Sequence, residues 1–214
     1  MKIGVLGTGM VGMTIATKLV QQGHHVTMGS RNPENPAAAH WANANGVNAS
    51  QGSFTDAAML SEMILLCTRG EATLEVIHTV GRVAFGEKVV VDVSNPLDFT
   101  RGSPPPLLIC NTDSLGEQVQ KAIPYARVVK TLNVVSWEAM TDPGRAGHPT
   151  MLLCGNNAGA KTTAAAMLRD FGWIDILDMG DIKSARALEM LAPVWMAVCA
   201  ATGHSLLGFR IVGR

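Results

Sequence analysis

The 214-residue chain is 47% hydrophobic and 16% charged, and its 17 Lys and Arg residues balance 17 Asp and Glu residues. This length suits one sizeable α/β domain and hardly two. A formal net charge of zero, with no basic cluster, argues against a dedicated nucleic-acid binder. The apolar stretch 190–202 is too short to cross a bilayer, so we expect no membrane partner.

The first predicted elements are an apolar strand over 2–6, a glycine-rich turn over Gly7–Gly12 (G-T-G-M-V-G) and a helix over 13–20. In this context the glycine pattern predicts a dinucleotide-binding turn, with phosphates at the helix N-terminus. Gly7 would make the tight turn, Gly9 would let backbone approach a pyrophosphate, and Gly12 would let the helix pack on the strand. The alternative is a plain glycine turn.

The second strand, over 25–29, ends in Ser30, Arg31 and Asn32, with no acid from 26 to 33. NAD-binding proteins place an Asp or Glu here for the ribose 2′-hydroxyl, whereas a guanidinium can bind a 2′-phosphate through charge-assisted hydrogen bonds. The sequence therefore predicts NADP(H) as the cofactor. The alternative is an arginine on an exposed loop.

Further strands and helices alternate along the rest of the chain. Strands are predicted at 47–49, 62–67, 88–93, 127–132, 150–154 and 173–177, and helices at 36–45, 54–60, 71–82, 114–122, 136–140, 158–171 and 182–202. This alternation predicts an α/β fold with a Rossmann-type doubly wound, mostly parallel sheet. We expect an NADP-binding Rossmann domain over 1–150 and a smaller α/β and helical portion over 151–214 packed on it.

Ligands of such sheets bind outside the carboxyl ends of the strands. Thr68 and Arg69 follow one strand there and are candidates for the nicotinamide ribose or the pyrophosphate. Asn95, Pro96 and Leu97 follow the next strand, and with Asn133 they are candidates for the nicotinamide ring. Thr, Asn and Pro are also ordinary residues at strand ends, so loop chemistry remains the alternative.

The N-terminus leads directly into an apolar strand without a signal-peptide pattern, which predicts a cytoplasmic protein. No C-x-x-C or Cys/His spacing occurs, so we expect no metal site. We predict buried free thiols in a reducing compartment for all of the cysteines: Cys67, Cys110, Cys154 and Cys199.

The closing helix is apolar nearly all round and contains Pro193, which should kink it. Its apolar stripe includes Met190, Trp195, Met196 and Cys199. Core or dimer packing is the default interpretation, and a pocket for a redox ring is the alternative. The stripe motivates the hypothesis of a homodimer.

The chain resembles the NADP oxidoreductases that use coenzyme F420, a deazaflavin, and is similar to the NADPH-oxidising domain of the STEAP metalloreductases. The shared segments occur in order over essentially the whole chain: the glycine turn, 30–32, 128–135 (VVKTLNVV), 152–157 (LLCGNN) and 179–189. The glycine turn is common to many families, whereas 130–135 and 181–189 are more specific.

The resemblance implies that Thr8, Met10 and Val11 contact the pyrophosphate and that residues 30–32 hold the 2′-phosphate. It places a second redox ring near 95–97, Asn133 and the closing helix, and it implies hydride transfer between two stacked rings. We find no catalytic elbow or acid–base constellation in the residues themselves, and hydride transfer of this kind needs none. We therefore name no catalytic residue.

The predicted function is NADPH-dependent hydride transfer to or from a deazaflavin or flavin, with a small-molecule redox substrate as the partner. Flavin or ferric-chelate reduction is a variant of this prediction. An NADPH-sensing module without turnover is the alternative of a different class. Lys130 and Asn133 share the Lys-x-x-Asn spacing of hydroxyacid dehydrogenases, but they end a strand, and the chain lacks the large helical domain of those enzymes.

Overall fold

The computed structural model describes residues 1–213, and Arg214 lies outside the described residues. The strands are β1 (Lys2–Leu6), β2 (His25–Ser30), β3 (Ala49–Ser53), β4 (Met63–Leu66), β5 (Val89–Asp92), β6 (Arg127–Thr131), β7 (Met151–Cys154) and β8 (Ile176–Asp178). The helices are α1 (Met10–Gln21), α2 (Pro36–Asn45), α3 (Phe54–Met59), α4 (Gly70–Val80), α5 (Arg82–Phe85), α6 (Leu115–Ala122), α7 (Trp137–Thr141), α8 (Ala158–Asp170) and α9 (Ala185–Thr202).

The strands form one sheet in the order β3-β2-β1-β4-β5-β6-β7-β8. Neighbouring strands are parallel except for β6 and β7, which pair antiparallel with Lys130 opposite Cys154. The predicted doubly wound, mostly parallel α/β fold is therefore confirmed. Because β7 runs in the opposite direction, its first residues lie at the same edge of the sheet as the carboxyl end of β6.

Helices cover both faces of the sheet because side chains alternate along each strand. Ile3 and Val5 of β1 point into the apolar cluster that also holds Ile15 and Leu19 of α1. Leu6 points into the opposite cluster, with helices α4 and α6. Every residue of β4 is buried, which explains the continuous apolar run in the sequence. The glycine turn is thereby held between two packed layers.

Two predicted strands were misplaced. Residues 46–48 form a 3-10 turn, and the strand follows at Ala49–Ser53. The last strand begins at Ile176 and not at Trp173. The Trp173 side chain packs into the core instead, and its indole Nε1 donates to the Met140 carbonyl at 3.0 Å. The predicted helix over 71–82 is broken at Gly81, whose φ is +79°.

The prediction of buried thiols is wrong for two of the cysteines. Cys67 and Cys154 are buried beneath the sheet edge as expected, but Cys110 is exposed and Cys199 is half-buried. The difference follows from position, since Cys110 lies in the loop before α6 and Cys199 lies on the less covered half of α9.

The closing helix α9 follows a 3-10 turn, Ile182–Ser184, in which the Asp181 carboxylate accepts from the Lys183 N–H at 3.0 Å. The segment Ile182–Thr202 is long and apolar enough to cross a membrane by length and composition, with a mean hydropathy of 1.2, but such a helix is weak evidence of a membrane protein. Residues 203–213 then return to the sheet, where Thr150 N donates to the Phe209 carbonyl at 2.9 Å.

The sheet runs through residue 150 without interruption, because β7 and β8 extend its edge beyond β6. The division into 1–150 and 151–214 stays a prediction about which part holds the cofactor and which part covers it.

Candidate cofactor site

The turn between β1 and α1 uses its three glycines differently. A Cβ on Gly7, whose φ is +131°, would lie 2.5 Å from the carbonyl oxygen of Cys67. A Cβ on Gly12 would lie 2.1 Å from the carbonyl oxygen of Gly7, so a side chain there would push helix and strand apart. A Cβ on Gly9 would meet no heavy atom within 4 Å. Gly7 and Gly12 are therefore required by the fold, whereas the space at Gly9 is open to a ligand.

The N-terminus of α1 opens into the same space. Gly9 is the N-cap residue, no side chain of the described residues caps this helix, and its first turn holds no acidic residue. The first N–H groups of a helix have no intrahelical partner and lie at the positive end of its dipole. Thr8 is half-buried and Met10 is exposed, so both can be reached from solvent. This cradle fits an anionic group such as a pyrophosphate.

At the end of β2, Ser30 is buried and its hydroxyl donates to the Asn32 carbonyl, while the Asn32 side chain accepts from Glu34 N at 3.0 Å. These bonds fix a turn that leaves Arg31 exposed. Within residues 1–213, the Arg31 guanidinium has no ion pair or hydrogen bond to another side chain. It is therefore free to bind an anion such as a 2′-phosphate.

A cavity of about 60 Å³ adjoins Ser30 and Arg31, and Glu75 of α4 also lines it. The sequence did not indicate Glu75, because the acid of NAD-binding proteins is expected on the loop after β2 and Glu75 lies on α4. The structure therefore places a carboxylate in the neighbourhood of the predicted 2′-phosphate site, although none lies on the β2 loop itself.

After β4, Thr68 and Arg69 lead into α4. The Thr68 and Thr73 hydroxyls are 2.8 Å apart, and the Thr73 hydroxyl donates to the Arg69 carbonyl at 3.1 Å. The Arg69 guanidinium pairs with Glu71 at 3.0 Å and lies 5.6 Å from the Phe99 ring centroid. Thr68 is thus held in a local network, whereas the Arg69 side chain is exposed beside the loop that follows β5.

The loops after β5 and β6 are joined by their asparagines. Asn95 Nδ2 donates to the Asn133 carbonyl at 2.7 Å, and Asn133 Nδ2 donates to Asn95 Oδ1 at 2.9 Å. Pro96 and Leu97 are buried, and a Cβ on Gly70 would lie 1.9 Å from the Asn95 carbonyl oxygen. The structure therefore brings the predicted nicotinamide residues together and packs α4 directly against them.

The closing helix reaches this group of loops. Asn133 Nδ2 also donates to the Leu188 carbonyl of α9 at 3.0 Å. A crevice of only about 20 Å³ lies beside Asn133 and is further lined by Leu191 of α9, by Phe209 and by the first residues of β7. The antiparallel direction of β7 puts those residues at this edge, so α9 and the C-terminal segment both cover the predicted nicotinamide end.

Sequence reasoning missed a cluster of buried charges under the same loops. Lys130 Nζ lies 2.9 Å from Asp92 Oδ2 and 2.9 Å from Glu189 Oε1. The three side chains are 0%, 0% and 1% exposed. Charged residues inside the strong strands β5 and β6 were the available signal, because buried charges require partners. Their third partner, on α9, could not be read from spacing.

Burial by itself lowers the pKa of Lys130, but Asp92 and Glu189 together raise it above its ordinary value. The ammonium also donates to the Ser94 carbonyl, so its three N–H donors are all used. Lys130 therefore has no donor left for a substrate, and its side chain is fully buried.

A cavity of about 670 Å³ lies between α4 and α6. None of the residues predicted to bind the cofactor lines it. The carboxyl ends of β1 and β2 are the better candidate for the cofactor site, because the glycine turn, the uncapped helix and Arg31 follow these two neighbouring parallel strands. Among residues 1–213 there is no group of three or more His, Cys, Asp or Glu residues that could hold a metal ion.

Known proteins resemble this chain in sequence and in fold. The family model for coenzyme F420-dependent NADP oxidoreductases matches residues 2–96. Metalloreductase STEAP3 of Rattus norvegicus is 33% identical over 91% of this chain, which covers 38% of that protein. The F420-dependent NADP reductase of Methanocaldococcus jannaschii is 27% identical over 99% of this chain and 98% of its own length. The chain therefore spans about two fifths of the metalloreductase but nearly all of the reductase.

A solved structure of a candidate F420-dependent NADP reductase from Arthrobacter sp. FB24 matches with a TM-score of 0.95 and 40% identity. The match covers all of both chains. Sequence and fold thus agree with F420-dependent NADP reductases over the whole length of the chain. The chain belongs to the family of coenzyme F420-dependent NADP oxidoreductases.

Proposed function

We propose that the chain is an NADPH-dependent oxidoreductase that transfers a hydride between NADP(H) and a deazaflavin of the F420 type or a flavin. One observation carries the proposal: the open space at Gly9 lies at the uncapped start of α1, on the sheet edge where Arg31 is exposed and unpaired within the described residues. A dinucleotide with a 2′-phosphate satisfies both features. The names of the matched reductases point to the same cofactor.

We assign the cofactor-binding roles as follows. Backbone N–H groups around Thr8, Met10 and Val11 bind the pyrophosphate, and Ser30, Arg31 and Asn32 bind the 2′-phosphate. Thr68 and Arg69 contact the adjoining ribose and phosphates. The nicotinamide lies against Asn95, Pro96, Leu97 and Asn133.

The bound rings supply the hydride chemistry, and the protein supplies position and a dry site. The linked side chains of Asn95 and Asn133 hold two loops at a fixed distance. The apolar side chains of Leu97 and Leu191 exclude water from the nicotinamide end, because both lie at this edge and neither can hydrogen-bond to water. We assign no proton transfer to a side chain.

The test is anaerobic oxidation of NADPH by the purified protein, with F420, FMN, FAD and a ferric chelate offered separately. Turnover with F420 alone supports the deazaflavin as acceptor. Turnover with a flavin or ferric chelate alone moves the assignment towards the metalloreductases, to which the chain is also similar. Tight NADPH binding without turnover of any acceptor contradicts the enzyme and favours an NADPH sensor.

We further propose that the protein works as a homodimer in the cytoplasm, with the exposed face of α9 that carries Met190 and Val194 against a second copy. Val194 is 49% exposed and Met190 is 37% exposed, and only 22% of the most apolar part of this helix is buried within the chain. A second copy would cover this surface. The charged residues Lys183, Arg186 and Glu189 of the same segment suit a bilayer poorly.

Sedimentation equilibrium tests the dimer, and flotation with phospholipid vesicles tests the membrane. A monomeric mass that does not change with concentration would contradict the dimer. Val194→Glu should shift the equilibrium towards monomer, and Val83→Glu, at an exposed position on α5, is the matched control. Flotation of the wild-type protein with vesicles would show that the helix meets lipid instead.

A further inference from the structure

The buried charge cluster joins four elements of the fold. Asp92 ends β5, Lys130 lies on β6 and Glu189 lies on α9. The Glu189 carboxylate also accepts from two N–H groups at the start of α6, those of Leu115 at 2.8 Å and Gly116 at 2.9 Å. Asp92 accepts in turn from the Ser94 N–H at 2.9 Å and from the Ser94 hydroxyl at 2.6 Å. Every charge is thus hydrogen-bonded on more than one side.

Such a cluster is a poor source of stability. One cation and two carboxylates leave a net negative charge out of water, offset in part by the helix start of α6. Apolar residues of similar volume often stabilise a core as well as a buried ion pair does. Unlike apolar contacts, hydrogen bonds to charged groups are directional, so they fix the distance and the angle between the elements that they join.

The cluster lies directly beneath the predicted nicotinamide end. Ser94, whose carbonyl accepts from Lys130, precedes Asn95 in the loop after β5. Asn133 lies just beyond the end of β6, the strand that carries Lys130. Its side-chain amide donates to the carbonyl of Leu188, the neighbour of Glu189. The same stretch of α9 is therefore attached twice to the loops that would flank the nicotinamide.

The helix is anchored at this stretch and is less restrained beyond it. A Cβ on Gly116 would lie 2.8 Å from the Cβ of Ala185, so α6 and α9 are in close contact at the start of α9. Pro193 has no N–H to give to the Glu189 carbonyl, which removes one helical hydrogen bond just after the anchor. The residues after Pro193 are half-buried or exposed.

We propose that Glu189 is a positioning residue for hydride transfer: through Lys130 and Asp92 it fixes α9 against the loop Ser94–Leu97 and so sets the separation of the two redox rings. The inference rests on the proposed function. Glu189 touches neither ring in this assignment, and it acts through the helix that carries Leu188 and Leu191.

The test compares Glu189→Asp with the wild-type protein. The charge is kept, so the buried Lys130 retains a counterion, but the shorter side chain must draw α9 closer or lose a bond. We expect the single-turnover rate of hydride transfer, at saturating NADPH and acceptor, to fall about 10- to 100-fold, since small misplacements are costly for such reactions. The dissociation constant for NADPH should stay within about twofold, because Gly9 and Arg31 are held by other elements.

Glu117→Gln is the matched control. Glu117 of α6 binds Arg186 of α9 through two hydrogen bonds of 2.6 and 2.8 Å, so its loss also removes a bond between α6 and α9. This bond lies at the surface side of the helices and touches none of the nicotinamide loops. We expect the control to keep the wild-type hydride-transfer rate within about twofold.

The outcomes separate the two proposals. If the wild-type protein is active and Glu189→Asp transfers hydride at the wild-type rate, the positioning role is wrong and the proposed function stands. An equal loss of rate in both variants shows a general structural effect and also overturns the positioning role. If the wild-type protein oxidises no NADPH with any acceptor, both proposals fail. Should Glu189→Asp not fold, Glu189→Gln takes its place with the same expected rate loss and the same refuting outcome.

Discussion

In the glycine turn, the variant Gly9→Val should weaken cofactor binding with little effect on folding stability. Gly9 has φ −78° and ψ 176°, an extended conformation that valine adopts readily, and its Cβ direction is empty to 4 Å. Valine is a poorer N-cap residue than glycine by about 0.5–1 kcal/mol. Loss of glycine's freedom in the unfolded chain offsets this by about 0.4–1 kcal/mol. The free energy of unfolding should therefore change little.

Binding should respond very differently. The valine side chain would fill the space assigned to the pyrophosphate and keep it from the helix N–H groups. Loss of one or two hydrogen bonds to a charged group costs about 1.5–3 kcal/mol each. At about 1.4 kcal/mol per tenfold, the loss of even one such bond should raise the dissociation constant for NADPH roughly 10- to 100-fold. Urea denaturation and NADPH fluorescence titration on the same preparation measure the two effects.

Two further glycine variants serve as controls. Gly12→Ala should destabilise the fold, because its Cβ would lie 2.1 Å from the Gly7 carbonyl oxygen. Gly159→Ala, at the start of α8 where no cofactor is expected, should leave binding close to wild type. Its effect on stability should stay within about 1 kcal/mol, because the gain in helix propensity is opposed by a Cβ contact of 3.3 Å with the capping Asn157 Oδ1. If Gly9→Val unfolds the protein, or folds and binds NADPH as tightly as wild type, the turn is structural and the assignment of the pyrophosphate is refuted.

Three other predictions follow from exposure and charge. Arg31→Ala should weaken NADPH binding by about 1.5–3 kcal/mol and leave NADH binding unchanged, and equal losses for both would remove the 2′-phosphate assignment. Cys110 should react with a thiol reagent in the native protein, whereas Cys67 and Cys154 should react only after unfolding, as mass mapping of the labelled peptides can show. Burial raises the pKa of Cys154 to about 12 and raises that of Cys67 also, so the folded state holds these protons above the unfolded pKa of about 9. The free energy of unfolding should therefore be level below about pH 9 and fall as pH rises through the alkaline range. Lys130 adds a further loss above the ordinary lysine pKa, because its own pKa is raised in the folded state. A urea midpoint that does not fall up to about pH 11 would contradict this.

The sequence by itself determined those features that depend on neighbours in the chain. The G-x-G-x-x-G turn between a strand and a helix, the missing acid after β2 and the alternation of elements are local patterns. The structure has the turn, the exposed Arg31 and the parallel strands β1, β2, β4, β5 and β6 where these patterns indicate. Helix α2 was located to the residue because Asn35 and Gly46 mark its ends. Local hydrogen bonding and backbone freedom suffice for such features.

Only the tertiary structure decided which distant residues meet. Nothing in the spacing of Asp92, Lys130 and Glu189 indicates that their charges share one buried cluster, or that Asn133 holds both Asn95 and α9. The antiparallel direction of β7, and with it the crevice beneath Phe209, likewise depends on how the last third of the chain packs. These contacts form because buried charges and amides must find partners wherever the packed elements bring them, and packing is a property of the whole chain.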